Sequence, residues 1–126
     1  MYEVEVQDHF SAAHFLKWAD GSTEPRHGHD WCVAVRVCRD ELDSIGVVTD
    51  FEVLKHELRR TLDAFEKRLF NEHPDFKGVK RNPSTENIAK LIYEKLRMRF
   101  DASDTRISRV TVWETPDACA SFIPNA

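Results

Sequence analysis

The chain has 126 residues, and its 18 Lys and Arg against 22 Asp and Glu give a formal net charge of -4. This length fits one domain, taken as residues 1–126, and the acidic balance argues against a nucleic-acid binder, which normally presents a basic face. No apolar run approaches the roughly 18 residues of a membrane span, and the first residues lack the basic start and apolar block of a signal peptide. With three cysteines and no C-x-x-C pair, we expect a cytoplasmic protein with reduced thiols and no membrane partner.

The hydrophobic pattern predicts two strands followed by two helices and a return to strand. Residues 2–7 and 106–114 alternate between apolar and polar, as half-buried strands do, and residues 27–38 form a long Val-rich strand. Asp50 is a good N-cap for a helix of about five turns over residues 51–69, and a second helix starts near residues 84–86 after a proline. With one more short strand near the C-terminus, the order is β-β-α-α-β-β. The sequence therefore predicts an α+β fold, a mainly antiparallel sheet with two helices on one face.

Three histidines share the parity of the predicted buried rows. If no bulge intervenes, His14 lies on the same strand face as Val4 and Val6, and His27 and His29 lie on the face of the second strand that carries its valines. In a hairpin these three imidazoles would converge at one end of the sheet. Three neutral imidazoles with an open fourth position suit a catalytic Zn²⁺, so they are the predicted metal ligands. The other histidines (His9, His56 and His73) are interpreted as ordinary surface or locally satisfied side chains.

Glu114 shares parity with Val110 and Val112 and is predicted to point inward. A carboxylate there is costly unless a partner binds it. It could reach solvent at the strand end, or it could bind a donor-rich group such as the amino-pyrimidine edge of a pterin or purine through two charge-assisted hydrogen bonds.

Five motifs in this order resemble the 6-pyruvoyltetrahydropterin synthase and 6-carboxytetrahydropterin synthase family, and together they cover nearly the whole chain. They are Phe-Ser-Ala-Ala-His at 10–14, His-Gly-His-Asp at 27–30, Gly-Val-Val-Thr-Asp-Phe at 46–51, Asn-Pro-Ser-Thr-Glu-Asn-Ile-Ala at 82–89 and Val-Trp-Glu-Thr-Pro at 112–116. The resemblance implies the tunnelling fold, in which subunits join their sheets into a barrel, commonly as homo-oligomers (hexamers) with active sites between subunits. It also implies zinc on the three histidines and a pterin substrate anchored by Glu114, helped by Thr85 and Glu86.

The chain departs from the family pattern where a catalytic cysteine usually precedes His-Gly-His by four residues. Thr23 occupies that position, and Glu24 stands beside it. The spacing Glu-x-x-His-Gly-His resembles the variant group that replaces the cysteine with glutamate and cleaves dihydroneopterin to 6-hydroxymethyl-7,8-dihydropterin, a folate precursor. A carboxylate beside zinc can act as a general base, so Glu24 is predicted to be catalytic, the alternative being a solvated loop residue.

The second departure follows the first helix, where the family usually carries an Asp-His pair before Leu-Asn. Aligning on Phe70-Asn71 places Glu66 and Lys67 there. Both are assigned as candidate catalytic residues, with Lys67 able to transfer protons if its pKa is lowered. An ordinary surface lysine, or Asp63 in a shifted register, remains an alternative, and Cys119 is a remote candidate for a replacement thiol.

These features favour a zinc-dependent lyase of this family acting on 7,8-dihydroneopterin or its triphosphate. The close alternative is a 6-carboxy-5,6,7,8-tetrahydropterin synthase on the queuosine route. A binding module of another class, holding zinc and pterin without turnover, is the third hypothesis, supported by the altered Cys and His positions. Three loop cations (Arg26, Lys80 and Arg81) could meet phosphates or be simply solvated.

Overall fold

The computed structural model describes residues 1–78 and 81–125. The strands are β1 (Tyr2–His14), β2 (His27–Arg39), β3 (Arg68–Leu69), β4 (Thr105–Thr115) and β5 (Ala118–Phe122), and the helices are α1 (Phe51–Asp63) and α2 (Thr85–Phe100), with a 3₁₀ turn at Phe70–Glu72. One sheet has the strand order β3-β1-β2-β4-β5. All pairings are antiparallel except the short one between β1 and β3. The α+β architecture with two helices and a mainly antiparallel sheet is therefore confirmed.

The hairpin of β1 and β2 has an uninterrupted register. All 13 residues of β1 pair with β2, from Tyr2 opposite Arg39 to His14 opposite His27. No bulge breaks the alternation, so the buried row that begins with Val6 and Phe10 continues to His14. The parity on which the histidine prediction depends is confirmed.

One hydrophobic core fills the space between the sheet and the two helices. Leu54, Leu58 and Leu62 of α1 recur at four-residue spacing and are fully buried, as an amphipathic helix requires. They pack in one cluster with the inward row of β2, which includes Trp31 and Val33. Asp50 caps α1 as predicted by accepting a hydrogen bond from the N–H of Glu52. Ser84, within the predicted start of the second helix, caps α2 by accepting one from the N–H of Asn87. In the described residues, no helix is long and apolar enough to cross a membrane.

The predicted five-turn first helix is wrong in its length. α1 ends at Asp63, and the chain then passes through Lys67 at a positive φ of 57° before it becomes β3. Phe65 remains buried, which explains why the apolar spacing continues past the helix end. The backbone N–H of Lys67 donates to Ser11 O at 2.6 Å. The edge of β1 thus takes the hydrogen bond that another helical turn would have used.

Candidate metal centre

Three imidazole rings meet at the C-terminal end of β1 and the N-terminal end of β2. His14 is paired with His27 across the hairpin, and His29 is two residues further along β2. The ring centroids are 4.5 Å apart for His14 and His27, 4.8 Å for His27 and His29, and 5.7 Å for His14 and His29. One potential ligand atom from each histidine and one from Glu114 lie within 4.8 Å of one another. The structure therefore brings together the three histidines that the strand parity predicted.

Two of the rings are oriented by backbone carbonyls. His14 Nδ1 lies 2.7 Å from Pro83 O, and His27 Nδ1 lies 3.0 Å from Pro25 O. A carbonyl oxygen only accepts, so each Nδ1 must carry the hydrogen and the neutral ring keeps its lone pair on Nε2. Metal-binding histidines are typically held in this way, with one nitrogen donating to an outer partner and the other facing the ion.

Two of the inward nitrogens lack hydrogen-bond partners within residues 1–78 and 81–125. His14 Nε2 and His29 Nε2 are both buried and unpartnered, and the His14 side chain is only 2% exposed. Burial lowers the pKa of His29, outweighing the opposing effect of the nearby Glu114 carboxylate, and so favours the neutral ring. Buried polar atoms without partners are costly and uncommon. Imidazole nitrogens that converge in this way fit a Zn²⁺ ion.

Glu114 on β4 points into the same cluster. Its Oε1 lies 2.7 Å from His14 Nε2, in a geometry that is not a hydrogen bond, and 3.5 Å and 3.7 Å from the Nε2 atoms of His29 and His27. The sequence correctly predicted that this carboxylate faces inward, but not that it would sit among the imidazoles. Its position allows Glu114 to contact a metal ion as well as a substrate. The sequence indicated that its side chain faces inward on β4, but not that it is a potential metal ligand.

Glu24 lies beside the histidines, fixed by the loop between β1 and β2. Its Oε1 accepts a hydrogen bond from the N–H of Leu16 at 2.9 Å, and its own N–H donates to Leu16 O at 3.1 Å. The same Oε1 is 3.8 Å from His27 Nε2. Lys17 and Thr23 form a bridge in this loop. The carboxylate is therefore held at the edge of the cluster, although it does not belong to the set of converging ligand atoms.

Glu66 and Lys67 lie on the other side of β1, next to Ser11. Glu66 Oε2 accepts a hydrogen bond from the N–H of Ser11 at 2.6 Å, and its Oε1 is 3.8 Å from Arg59 Nη2. Lys67 is exposed and lines a cleft that also contains His29. Asp63, the alternative acid, is paired with Arg59 Nε at 2.9 Å. The structure thus brings Lys67, but not a free carboxylate of this segment, towards the histidines.

The start of α2 also borders the cluster. Pro83, whose carbonyl contacts His14, is two residues before Thr85. Thr85 is half-buried in the first helical turn, and Glu86 is exposed. Their assignment to the substrate stays a prediction.

The converging group contains no cysteine among the residues that the structure describes. Cys38 is buried, Cys32 is half-buried, and the exposed Cys119 lies on β5 opposite Trp113. The position four residues before His27 holds Thr23, so a carboxylate, and not a thiol, stands next to the histidines.

The fold and the site define a class of protein: a small α+β domain with a cluster of three histidines and a glutamate, able to hold a metal ion, at the end of its sheet. The family model described as 6-pyruvoyl tetrahydropterin synthase matches residues 3–125. The chain belongs to the 6-pyruvoyl tetrahydropterin synthase family.

Individual relatives agree with this family. The chain is 34% identical over 128 residues to a 6-carboxy-5,6,7,8-tetrahydropterin synthase of Bacillus subtilis, covering 98% of this chain and 86% of the relative. It is 34% identical over 105 residues to a dihydroneopterin monophosphate aldolase of Pyrococcus furiosus, covering 83% and 82%. The structure of Caenorhabditis elegans 6-pyruvoyl tetrahydropterin synthase superposes with a TM-score of 0.82 at 28% identity, covering 98% of this chain and 96% of that one. The relatives are thus named for more than one reaction.

Proposed function

We propose that the protein is a cytoplasmic, homo-oligomeric, zinc-dependent pterin lyase that cleaves the side chain of 7,8-dihydroneopterin, or a phosphorylated form of it, to 6-hydroxymethyl-7,8-dihydropterin. The observation that carries this proposal is the Glu24 carboxylate, which lies 3.8 Å from His27 Nε2 at the edge of a cluster that contains no thiol among the described residues. The aldolase name of the Pyrococcus relative supports the same reaction class.

Zinc would be held by His14, His27 and His29, and there it would supply Lewis acidity that polarises the side-chain hydroxyls of the substrate. Glu24 would take the proton from the second hydroxyl of the side chain. The bond between the first and second side-chain carbons would then break, releasing a two-carbon hydroxyaldehyde. The electron pair left on the first carbon would delocalise into the pterin ring before that carbon is protonated.

Glu114 would orient the ring. A pterin presents adjacent N–H donors on its amino-pyrimidine edge, and a carboxylate accepts two such bonds. Glu114 is the inward carboxylate that, unlike Glu24, accepts no hydrogen bond from a backbone N–H of the described residues. Thr85 and Glu86, two and three residues after Pro83, would add contacts from the start of α2.

The substrate and product can be tested directly. Zinc-loaded protein is incubated with dihydroneopterin and, separately, with its monophosphate and triphosphate, and the products are identified by mass. The proposal expects 6-hydroxymethyl-7,8-dihydropterin together with a two-carbon aldehyde, phosphorylated or not. Formation of 6-carboxytetrahydropterin, or tight binding without any product, would contradict it.

Replacement of the base is the sharper test. We expect Glu24→Gln to lower kcat by about 10²-fold to 10⁴-fold, the usual contribution of a general base, while zinc content stays the same. Glu52→Gln is the matched control, because Glu52 is exposed in the first turn of α1. Full activity in Glu24→Gln would remove Glu24 as the base.

A second candidate function is 6-carboxy-5,6,7,8-tetrahydropterin synthase. The B. subtilis relative of that name favours it, because the match covers 98% of this chain. In that case the product mass in the first experiment would be that of carboxytetrahydropterin, and Glu24 would act in place of the usual thiol. Zinc and pterin binding without turnover would instead indicate a non-catalytic binding module.

A further inference from the structure

Two asparagine side chains, which we call the amide clamp, hold the segment that follows β1. Asn71 Oδ1 accepts a hydrogen bond from the N–H of Phe15 at 3.0 Å, and Asn71 Nδ2 donates to Phe15 O at 2.9 Å. Asn82 bonds to Lys17 in the same way, with Oδ1 accepting at 2.8 Å and Nδ2 donating at 2.9 Å. Each side chain therefore satisfies both backbone groups of one residue.

The amide clamp takes the place of a neighbouring strand. A side-chain amide carries one carbonyl acceptor and an N–H donor, as a backbone residue does. In an antiparallel pair, the residues that exchange both hydrogen bonds with a partner are two apart, as Phe15 and Lys17 are. Asn71 comes from the 3₁₀ turn and Asn82 from the loop before α2. Two distant segments thus continue the hydrogen bonding of the sheet beyond the end of β1.

The other edge of the clamped segment bonds to Glu24. Leu16, between the two clamped residues, donates its N–H to Glu24 Oε1 at 2.9 Å, and its carbonyl accepts from the N–H of Glu24 at 3.1 Å. The Leu16 backbone therefore sets the position of the Glu24 carboxylate. The amide clamp in turn sets the position of Leu16, because it holds the residues on both sides of it.

The loop that carries Asn82 is anchored to α2. Asn87 Nδ2 donates to Asn82 O at 2.8 Å. Arg81, the residue before Asn82, pairs with Glu94 at 3.3 Å, so its charge is compensated within the protein. Lys80, also considered as a loop cation, lies outside the described residues. Two contacts with α2 therefore support the Asn82 end of the clamp.

Asn82 also adjoins a residue that contacts a predicted metal ligand. Pro83 O lies 2.7 Å from His14 Nδ1. The side chain of Asn82 is bonded to Lys17, three residues after His14. One short stretch before α2 therefore fixes His14 and the segment that holds Glu24 relative to each other.

We propose that Asn71 and Asn82 are positioning residues that hold the Glu24 carboxylate in place beside the metal centre. The proposal rests on the proposed function, in which Glu24 is the base. A base must lie within hydrogen-bond reach of the proton that it takes, and a displacement of about 1 Å can lower a rate by about 10²-fold. Residues 17–23 are exposed, so the loop before Glu24 has little packing of its own. The amide clamp supplies the restraint that a helix or strand gives to a more buried site.

A double-mutant cycle with Glu24 tests the positioning role. We expect Asn71→Ala and Asn82→Ala each to lower kcat about tenfold to a hundredfold, while zinc content and the KM of the pterin substrate change less than about twofold. In a Glu24→Gln background, the same substitutions should lower kcat by less than about a further twofold, because the base that they position is already gone. Asn125→Ala, at an exposed position near the C-terminus, is the matched control and should leave kcat unchanged. An equal loss in both backgrounds overturns the proposal, since a general structural role does not depend on Glu24.

Amide hydrogen exchange, measured by NMR on zinc-loaded protein, separates failure of the clamp from failure of the proposed function. In Asn82→Ala, the Leu16 amide should exchange at least about fivefold faster than in wild type, the size of one neutral hydrogen bond. The amide of Val35, buried in the middle strand of the sheet, should not change. Asn82→Asp should retain part of the Leu16 protection, because its carboxylate still accepts from the N–H of Lys17.

This exchange pattern supports the clamp even if no pterin is turned over, in which case the proposed function alone fails. An unchanged Leu16 amide overturns the proposal even if pterin cleavage is observed. Equal acceleration at Leu16 and Val35 also overturns it, because the substitution would then have lowered the stability of the whole domain.

Discussion

The cluster of His14, His27 and His29 and the isolated His73 show two ways in which a fold can hold histidine. His73 follows the 3₁₀ turn, accepts a hydrogen bond from the N–H of Asp75 at 3.2 Å, and packs on Phe65 with ring centroids 5.1 Å apart. The clustered rings instead direct their Nε2 atoms at one another, two of them without a partner. The hydrogen bonding of His73 is satisfied within the chain, whereas the clustered histidines leave nitrogens that an additional group could bind.

The pKa direction does not distinguish the two regions. Burial lowers the pKa of His73 against the opposing carboxylate of Asp75, as it lowers that of His29 against Glu114. Both rings are therefore expected to be neutral at neutral pH. The difference lies in the lone pairs on the ring nitrogens. Those of the clustered histidines converge on one point, whereas that of His73 Nδ1 accepts a hydrogen bond from the N–H of Asp75. Convergence of unsatisfied nitrogens is the more informative sign of a ligand site.

Removing two of the clustered histidines should have the largest effect of the changes considered, and the quantity affected is metal content. We expect wild type to bind about one zinc per chain and His27→Ala/His29→Ala to bind almost none, because one remaining imidazole cannot hold the ion. With free zinc at 1,000 times its Kd, the metal should stabilise wild type by about 4 kcal/mol, which chelation removes. Elemental analysis and denaturant unfolding with and without chelator measure both.

His73→Gln is the matched control for this experiment. It should retain both the zinc and the stabilisation, because His73 is not part of the converging group. Undiminished zinc in the double variant, or loss of zinc in His73→Gln, would show that the two regions had been assigned the wrong way round.

A smaller effect is expected from Glu114→Gln, which tests whether Glu114 binds the metal ion or the pterin ring. Pterin affinity should fall by about tenfold to a hundredfold, since one charged acceptor is lost, while the three imidazoles keep the zinc. Equilibrium binding of the pterin and zinc analysis of the same sample measure the two quantities. If zinc is lost and pterin affinity per zinc-loaded chain is unchanged, Glu114 is a metal ligand and not the ring anchor.

The smallest expected effect concerns pH and the metal-free protein. Because the folded pKa of His73 is below its ordinary value near 6.5, the unfolded chain binds the proton more readily, and stability is lost as pH falls through 6.5 towards the folded pKa. His73→Gln should flatten this dependence by at most about 1.4 kcal/mol per pH unit. Urea unfolding at several pH values between 5 and 7.5 measures it. If the free energy of unfolding depends on pH equally in wild type and His73→Gln, burial does not lower the pKa of His73.

The part of the site that was predicted from the sequence depends on strand parity. Residues two apart share a face in a regular strand, so the inward direction of His14, His27 and His29 required only the unbroken register of β1 and β2. Glu114 also faces the cluster, although the register of β4 against β5 shifts between Trp113 and Thr115. The cap at Asp50 was predictable for a similar reason, because a cap is formed by residues close together in the chain.

The part that was not predicted depends on contacts between distant segments. After α1 ends, the chain is held by Ser11, whose carbonyl accepts from the N–H of Lys67 and whose own N–H donates to the side chain of Glu66, 55 residues away. Periodicity records only that Phe65 is buried, and not whether the chain is helical there. His14 and Pro83 are 69 residues apart in the chain. No local pattern could therefore have indicated that Nδ1 is the nitrogen of His14 that donates to Pro83 O.

Because the three histidines come together only through the register of β1 and β2, the site forms only when the hairpin pairs correctly. A slip of one residue along β1 would turn His14 to the opposite face and separate it from His27 and His29. If the three histidines hold a metal ion as proposed, chains that pair the hairpin incorrectly would have no binding site for it and would not be stabilised by it. Metal uptake would therefore favour correctly aligned molecules over misaligned ones.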